Sequence, residues 1–368
     1  MIKKIIHIIP YFSYGGAEIF VKELAKEQQK EIKFSIEIWC FEESKNKKFQ
    51  DNILEDLKEK GIIVRFLTKE KNRIRRFINL YRFIKKYRPD IINTHLLHTT
   101  VYTALAKVLI RGKSSKILLF ETIHNTKIEK PLIQRIITNY LIDRTIVISE
   151  KVREIFLEEL KIKNNKMILI ENGININFNF NFQIRDKVKR IISIGRLSEQ
   201  KNHIFLLKSY KYMIEKGYKD IPIVDIYGEG DLKNTLEEFI KRNKLENFIK
   251  LKGLTNNPLK ELFKSDIYVM PSNYEGLSIA LLEALAVGIP ILATKVNGIK
   301  DILNENIFED ILIENGDIVE FANKFMELVN NKDKRKKLSL YEVEKSKNYS
   351  IEKTAIKYND AYKIFIGE

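Results

Sequence analysis

The chain has 368 residues, more than one hydrophobic core usually spans, so two domains are expected. Hydrophobic residues at 44% and charged residues at 31% exclude intrinsic disorder, and no stretch reaches the eighteen or so unbroken apolar residues that cross a bilayer. The excess of 65 basic over 49 acidic residues, net +16, favours anionic partners: a phospholipid surface, a lipid pyrophosphate, a nucleotide or a nucleic acid.

The opening MIKKIIHIIPYFSYGG is read as a first strand, because Pro10 and the glycine pair interrupt it before any secretory core develops. Gly15 and Gly16 follow that strand and open a helix, a loop able to approach a phosphate or an acceptor closely. It is not the dinucleotide fingerprint. Further strands are expected near residues 36–41, 62–67, 90–94, 117–122, 145–149 and 167–170, with helices between most of them. The single cysteine, Cys40, has no internal partner for a disulfide and suits a reducing cytoplasm.

Between Lys71 and Arg88 there are eight basic residues and no acidic one, while Ile74, Phe77, Ile78, Tyr81 and Ile84 recur at helical spacing. Two readings stand: a basic amphipathic helix on an anionic membrane surface, or a helix packed on a sheet with a solvated cationic face. His95 and His98 follow the fourth strand and His124 the fifth, where they can contact sugar hydroxyls or phosphates or serve structural hydrogen bonds. Their spacing is not that of a zinc site.

The biased segment NINFNFNF then breaks the pattern and is the candidate hinge. Strands resume near residues 190–194, 223–227, 248–251, 267–270, 290–293 and 311–313, and a tyrosine-bearing helix ends the chain. The expected division is 1–174, a linker at 175–186, a second domain at 187–348 and a terminal helix at 349–368. Both domains read as doubly wound α/β, and the default ligand site is the cleft between facing domains, beyond the carboxyl ends of the strands.

The second half holds the more specific motifs. In ISIGRLSEQKN, Gly195, Arg196 and Lys201 occupy a loop between strand and helix, where an arginine fork and a lysine point charge can grip a diphosphate. Gly228 and Glu229 follow the next strand, a turn where backbone can lie close to a flat base. In PSNYEGLSIALLEALAVGIP a strand end leads through a turn into a helix closed by Gly288, so free N–H groups and the positive helix end converge beside Glu275, Gly276 and Leu277. Glu283 lies about two helical turns further on, so one carboxylate can face a sugar and the other a ribose. The alternative is a pair of solvated surface charges. No Asp-x-Asp pair occurs, so no short motif offers a metal ion to a diphosphate, and Arg196, Lys201 and helix N-termini take over that neutralisation.

Taken in order, GGAE, the strand-end histidines, VISEKV, ENGI, IGRLSEQKN, GEG, PSNYEGLSIALLEALAVGIP and VNGIKDI resemble glycosyltransferase family 4, retaining enzymes of the GT-B fold, over nearly the whole chain. The resemblance implies an acceptor bound mainly by the first domain, a nucleotide-sugar donor bound mainly by the second, and transfer without a tightly held metal. It implies that Arg196 and Lys201 hold the diphosphate, Glu275 the donor-sugar hydroxyls and Glu283 the ribose. His124 would lie near the reacting sugar, Gly16 would contact the ligand by its backbone, and the last helix would brace the first domain. Gly195, Gly228, Glu229, Gly276 and Leu277 complete the donor side, and Gly15, Gly16, His95 and His98 the acceptor side. Asn93 stands where relatives often carry a histidine, and Ile351 where a tryptophan is common near Tyr349.

The expected reaction moves a hexose-type sugar from a UDP-sugar, before a GDP-sugar, to a glycan or lipid-linked acceptor in bacterial surface-polysaccharide synthesis. The location would be the cytoplasm or the inner face of the plasma membrane, with no cofactor, no metal and no nucleic-acid partner. The rivals are a non-catalytic basic protein on the same scaffold that binds membrane or nucleic acid, and an epimerase or phosphorylase of the same layout.

Overall fold

In a computed structural model the structure describes residues 2–68, 72–110, 117–124, 128, 130–176 and 182–367. Two compact units emerge: Met1–Asn175 with Ser350–Glu368, and Ile176–Tyr349. Lys71 and residues 177–181 of the expected hinge lie outside the described residues.

The first unit alternates β1 (Lys3–Ile9), α1 (Gly16–Gln28), β2 (Phe34–Cys40), α2 (Lys47–Glu59), β3 (Ile63–Phe66), α3 (Arg73–Tyr87), β4 (Ile91–His95), α4 (Leu97–Ile110), β5 (Leu118–Ile123), α5 (Pro131–Tyr140), β6 (Arg144–Val147), α6 (Glu150–Glu158) and β7 (Met167–Leu169). The strands form a parallel sheet in the order β3-β2-β1-β4-β5-β6-β7. Isoleucine-rich runs fit strands covered on both faces. Local chemistry starts the helices: the Asn46, Asn72 and Ser149 side chains accept from Phe49, Arg75 and Val152 N–H, and Pro131 opens α5.

The two faces of this sheet differ. Ile6, Ile8, Ile92 and Leu119 form one apolar cluster with residues of α3, α4 and α5. The alternate residues His7, Asn93, His95 and Thr122 form polar contacts on the other face. There Asn93 donates to the Tyr362 hydroxyl at 2.9 Å, and Thr122 and Tyr358 hydroxyls lie 3.3 Å apart. Those tyrosines belong to the last helix of the chain, Ile351–Ile366, which packs on α1. Asn93 therefore lies under the terminal helix, fully buried.

The second unit runs β8 (Arg190–Ile194), α7 (His203–Glu215), β9 (Ile223–Tyr227), α8 (Lys233–Arg242), β10 (Ile249–Gly253), α9 (Pro258–Phe263), β11 (Ile267–Met270), α10 (Ile279–Val287), β12 (Ile291–Thr294), α11 (Ile299–Ile302), β13 (Leu312–Ile313), α12 (Ile318–Asn330) and α13 (Lys332–Ser346); the last helix, Ile351–Ile366, is α14. Its sheet is parallel, ordered β10-β9-β8-β11-β12-β13, so the winding reverses between β8 and β11. A ligand site is expected at the carboxyl ends of those two strands.

Helix α3 corrects the expectation of one apolar stripe. Leu80 and Ile84 are buried and Phe77 and Tyr81 pack partly into the core, whereas Ile74 and Ile78 face solvent. The last three turns of the helix pay into the sheet cluster, and its first turn projects beyond that cluster.

Candidate active site

In the second unit the loop after β8 folds over its own glycine. The Lys201 methylenes pass over Gly195, 3.2 Å from where a Cβ would sit, and Asn202 takes a left-handed conformation, φ 49°, to start α7. The Gly195 N–H donates to the Tyr227 carbonyl at 2.9 Å and the Leu197 N–H to the Glu229 carbonyl at 3.0 Å, so the loops after β8 and β9 are laced backbone to backbone. A Cβ on Gly228, at φ 153°, would run into the Gly195 carbonyl, and one on Gly230 into that of Leu197. Glycine is required at both by contact, and at Gly228 by conformation as well.

The lysine ammonium ends on Glu275, Nζ to Oε1 2.6 Å. Glu275 is only 4% exposed, which removes the surface-charge alternative for it. Its main chain is gripped by the turn after β12: a Cβ on Gly298, at φ 83°, would strike the Glu275 and Gly276 carbonyls. Gly276, Leu277 and Ser278 are buried, and Ser278 at the N-cap of α10 makes no side-chain cap, so it leaves the first N–H groups of that helix uncovered. Gly288 closes α10 at φ 76°, as the sequence suggests. Glu283 lies on the second turn of α10, half-buried. Burial, then the charges of Glu275 and Glu283, push the Tyr268 phenol far up. Its hydroxyl is buried with no partner among the described residues, as is the Ser272 hydroxyl.

Arg196 is exposed and forms no ion pair among the described residues. Glu229 is half-exposed and takes Lys233 at 3.0 Å. Gly195, Arg196, Lys201, Gly228, Glu229, Glu275, Gly276, Leu277 and Glu283 thus all belong to this one unit, most of them on loops following β8, β9 and β11. The arrangement can offer an anion a free guanidinium, a half-covered ammonium and a helix N-terminus, with carboxylates alongside for hydroxyl groups.

In the first unit Gly15 caps α1, with Gly16 exposed in its first turn. The histidines separate. His98 is exposed on α4 against the Phe41 ring, whereas His95 is fully buried. Its Nε2 lies 3.0 Å from His7 Nδ1 and its Nδ1 2.9 Å from His124 Nε2. This corrects the expectation that His95 meets an acceptor directly, because both its nitrogens are taken by other imidazoles. Burial lowers His7 and His124 to about 4, with a bond to Gln28 opposing the shift at His7. Burial also drives His95 well down, helped by its two neighbours. His7 and Gln28 went unnoticed in the sequence, although a lone histidine in an isoleucine strand is a signal of a buried polar contact.

The family model "Glycosyl transferases group 1" matches residues 175–344 and "Glycosyltransferase Family 4" residues 14–178. An Escherichia coli UDP-Gal:alpha-D-GlcNAc-diphosphoundecaprenol alpha-1,3-galactosyltransferase is 28% identical over 276 residues, 69% of this chain and 70% of its own. A glycosyltransferase of Methanocaldococcus jannaschii, not characterised, is 30% identical over 284 residues, 68% of each chain. Among solved structures, Anabaena HepE in complex with UDP and glucose superposes with a TM-score of 0.81 at 16% identity, covering 98% of this chain and 99% of its own. That likeness gives the GT-B architecture. With both family models in series and a relative at this identity and coverage, the chain belongs to the family 4, group 1 glycosyltransferases.

Proposed function

We propose that this glycosyltransferase moves a hexose-type sugar from a UDP-sugar to a hydroxyl of a glycan or lipid-linked acceptor, with retained anomeric configuration, in bacterial surface-polysaccharide synthesis. The observation that carries the reading is the half-covered Lys201 paired with the buried Glu275, beside an Arg196 without an ion partner among the described residues, at the reversal point of the second sheet. An ion pair with a desolvated member is weak evidence for stability, which leaves room for a role in binding. An arriving diphosphate would share the Lys201 ammonium and take the Arg196 fork, and Glu275 would accept from sugar hydroxyls, with Glu283 on the ribose. As the donor bond breaks with oxocarbenium character, negative charge grows on the leaving diphosphate, where the two cations and the α10 N-terminus stabilise it. The departing phosphate oxygen takes the acceptor proton on the same face, and no nucleophile or metal ion is invoked. In the first unit, His124 would meet a substrate hydroxyl. The Escherichia coli relative acts on UDP-Gal and a diphosphoundecaprenol-linked acceptor, and HepE holds UDP, which favours UDP over GDP.

Thermal unfolding with UDP, GDP, UDP-galactose, UDP-glucose and UDP-N-acetylglucosamine tests the donor. A rise in Tm with UDP and at least one UDP-sugar, abolished in Arg196→Ala, is expected. No shift with any of the five would sink the proposal.

The partner surface follows from the first unit. Helices α3, α4 and α5 contain no acidic residue and cover one sheet face together. They leave Ile74, Ile78, Leu105, Leu109, Leu132 and Ile136 exposed among arginines and lysines. An apolar and cationic surface of this kind suits an anionic bilayer, where a lipid-linked acceptor resides. Sedimentation with phosphatidylglycerol vesicles and not with phosphatidylcholine vesicles is expected, weakened by Leu132→Asp with Ile136→Asp; equal recovery with both lipids would refute it. No helix among the described residues is long and apolar enough to span a membrane.

A further inference from the structure

A chain of hydrogen bonds runs from the terminal helix through three imidazoles and stops at a bare nitrogen. The Gln28 amide nitrogen donates to Asn359 Oδ1 on α14 at 2.9 Å. That leaves the Gln28 carbonyl oxygen, an acceptor only, 2.7 Å from His7 Nε2, so this nitrogen carries the hydrogen. A neutral imidazole holds one such hydrogen, so His7 Nδ1 is bare and the His95 Nε2 facing it at 3.0 Å is the donor. By the same step His95 Nδ1 is bare, and His124 Nε2, 2.9 Å away, donates to it. His124 Nδ1 then has a lone pair and no hydrogen. That atom is also buried, with no partner among the described residues.

We propose that Gln28, His7 and His95 are positioning residues that hold His124 in its Nε2–H tautomer, so that Nδ1 presents an acceptor to a hydroxyl hydrogen of the bound sugar or acceptor. This rests on the reading that His124 meets substrate. The polarity selects the ligand group: reversal of every bond would end on an N–H, suited to a phosphate or carbonyl oxygen, whereas this order requires a donor. Charge does not interfere, since burial keeps the three rings neutral near pH 7. Leaving a buried acceptor unmet has a cost in the free protein, which a ligand hydroxyl would relieve. Asn359, the outer end of the chain, links this polarity to the seating of α14 against α1.

Long-range proton–nitrogen NMR of the full chain labelled with 15N-histidine reads the tautomers without any substrate. Neutral Nε2–H forms at His7, His95 and His124 at pH 7 are expected, and an Nδ1–H form at His124 would overturn the proposal. In Gln28→Leu the acceptor that sets the order is gone, so an Nδ1–H population should appear at His124. UDP release should fall by roughly tenfold, measured with whichever UDP-sugar raises Tm most. Gln28→Glu keeps an oxygen before His7 and should restore both readouts. Loss of Tm in Gln28→Leu with unaltered tautomers would mean a purely structural role and overturn it. If that variant does not fold, the wild-type spectra still decide the polarity. Full turnover in His124→Ala would refute the substrate contact itself, independently of the tautomers.

Discussion

The strand ends of the two sheets solve different chemical problems. At the first, His7 and His95 are buried and His124 half-buried, all three lowered well below the usual histidine range and linked to one another, so what they offer is neutral hydrogen bonding. At the second, Arg196 is exposed without an ion partner among the described residues, and Lys201 is tied to Glu275. Charge is retained where a diphosphate would develop negative charge, and removed where neutral hydroxyls would be read. Desolvation is the physical lever in both: it disfavours an isolated charge and is tolerated by a paired one.

The largest effect should come from breaking the charged end. Arg196→Ala is expected to lower turnover about 100-fold with Tm unchanged, because the guanidinium is exposed and supports no other group. Lys201→Ala should lower turnover as much and also destabilise the protein by roughly 3–5 kcal/mol, since it strands the buried Glu275. Lys201→Met with Glu275→Gln should recover most of that stability and none of the activity. Kinetics and melts on the three purified variants separate these outcomes, and a Tm loss in Arg196→Ala equal to that in Lys201→Ala would erase the distinction.

The neutral end should respond to acid. His7 and His124 fall to about 4 in the folded protein, against 6.5 when unfolded. Between those limits the unfolded chain binds more protons, so the stability held above pH 6.5 drains away as pH falls towards 4. Melts followed at pH 7, 6 and 5 should show Tm dropping by several degrees, and a flat profile would contradict neutral burial.

The smallest effect has the opposite sign. Glu121 is buried on β5, accepts from Thr145 at 2.9 Å, and is pushed up to about 7 by desolvation. Its folded form holds the proton more tightly, so its contribution is present below pH 4.5 and lost as pH rises through 7. Glu121→Gln should therefore raise Tm by about 2 °C at pH 8 and leave it unchanged near pH 4.5. A Tm gain of equal size at both values would show that ionisation is not the cause.

Much of this was legible in the residues. The thirteen strands among the described residues fall where apolar runs predict them, within a few residues, because a parallel sheet covered on both faces imposes continuous hydrophobicity that interrupting loops cannot mimic. The α10 helix, its Gly288 stop and the loop holding Gly195 and Lys201 follow from turn and cap chemistry, which acts over a few neighbours. What remained hidden depends on partners far along the chain. His7 meets His95, 88 residues away, and Gln28 meets Asn359, 331 residues away. Lys201 finds Glu275 at a separation of 74. Sequence spacing determined which residues reach the ends of strands. Only the register between strands, and the return of α14 to α1, decided which of them would touch, because hydrogen bonds and ion pairs act over a few ångströms of space and are indifferent to distance along the chain.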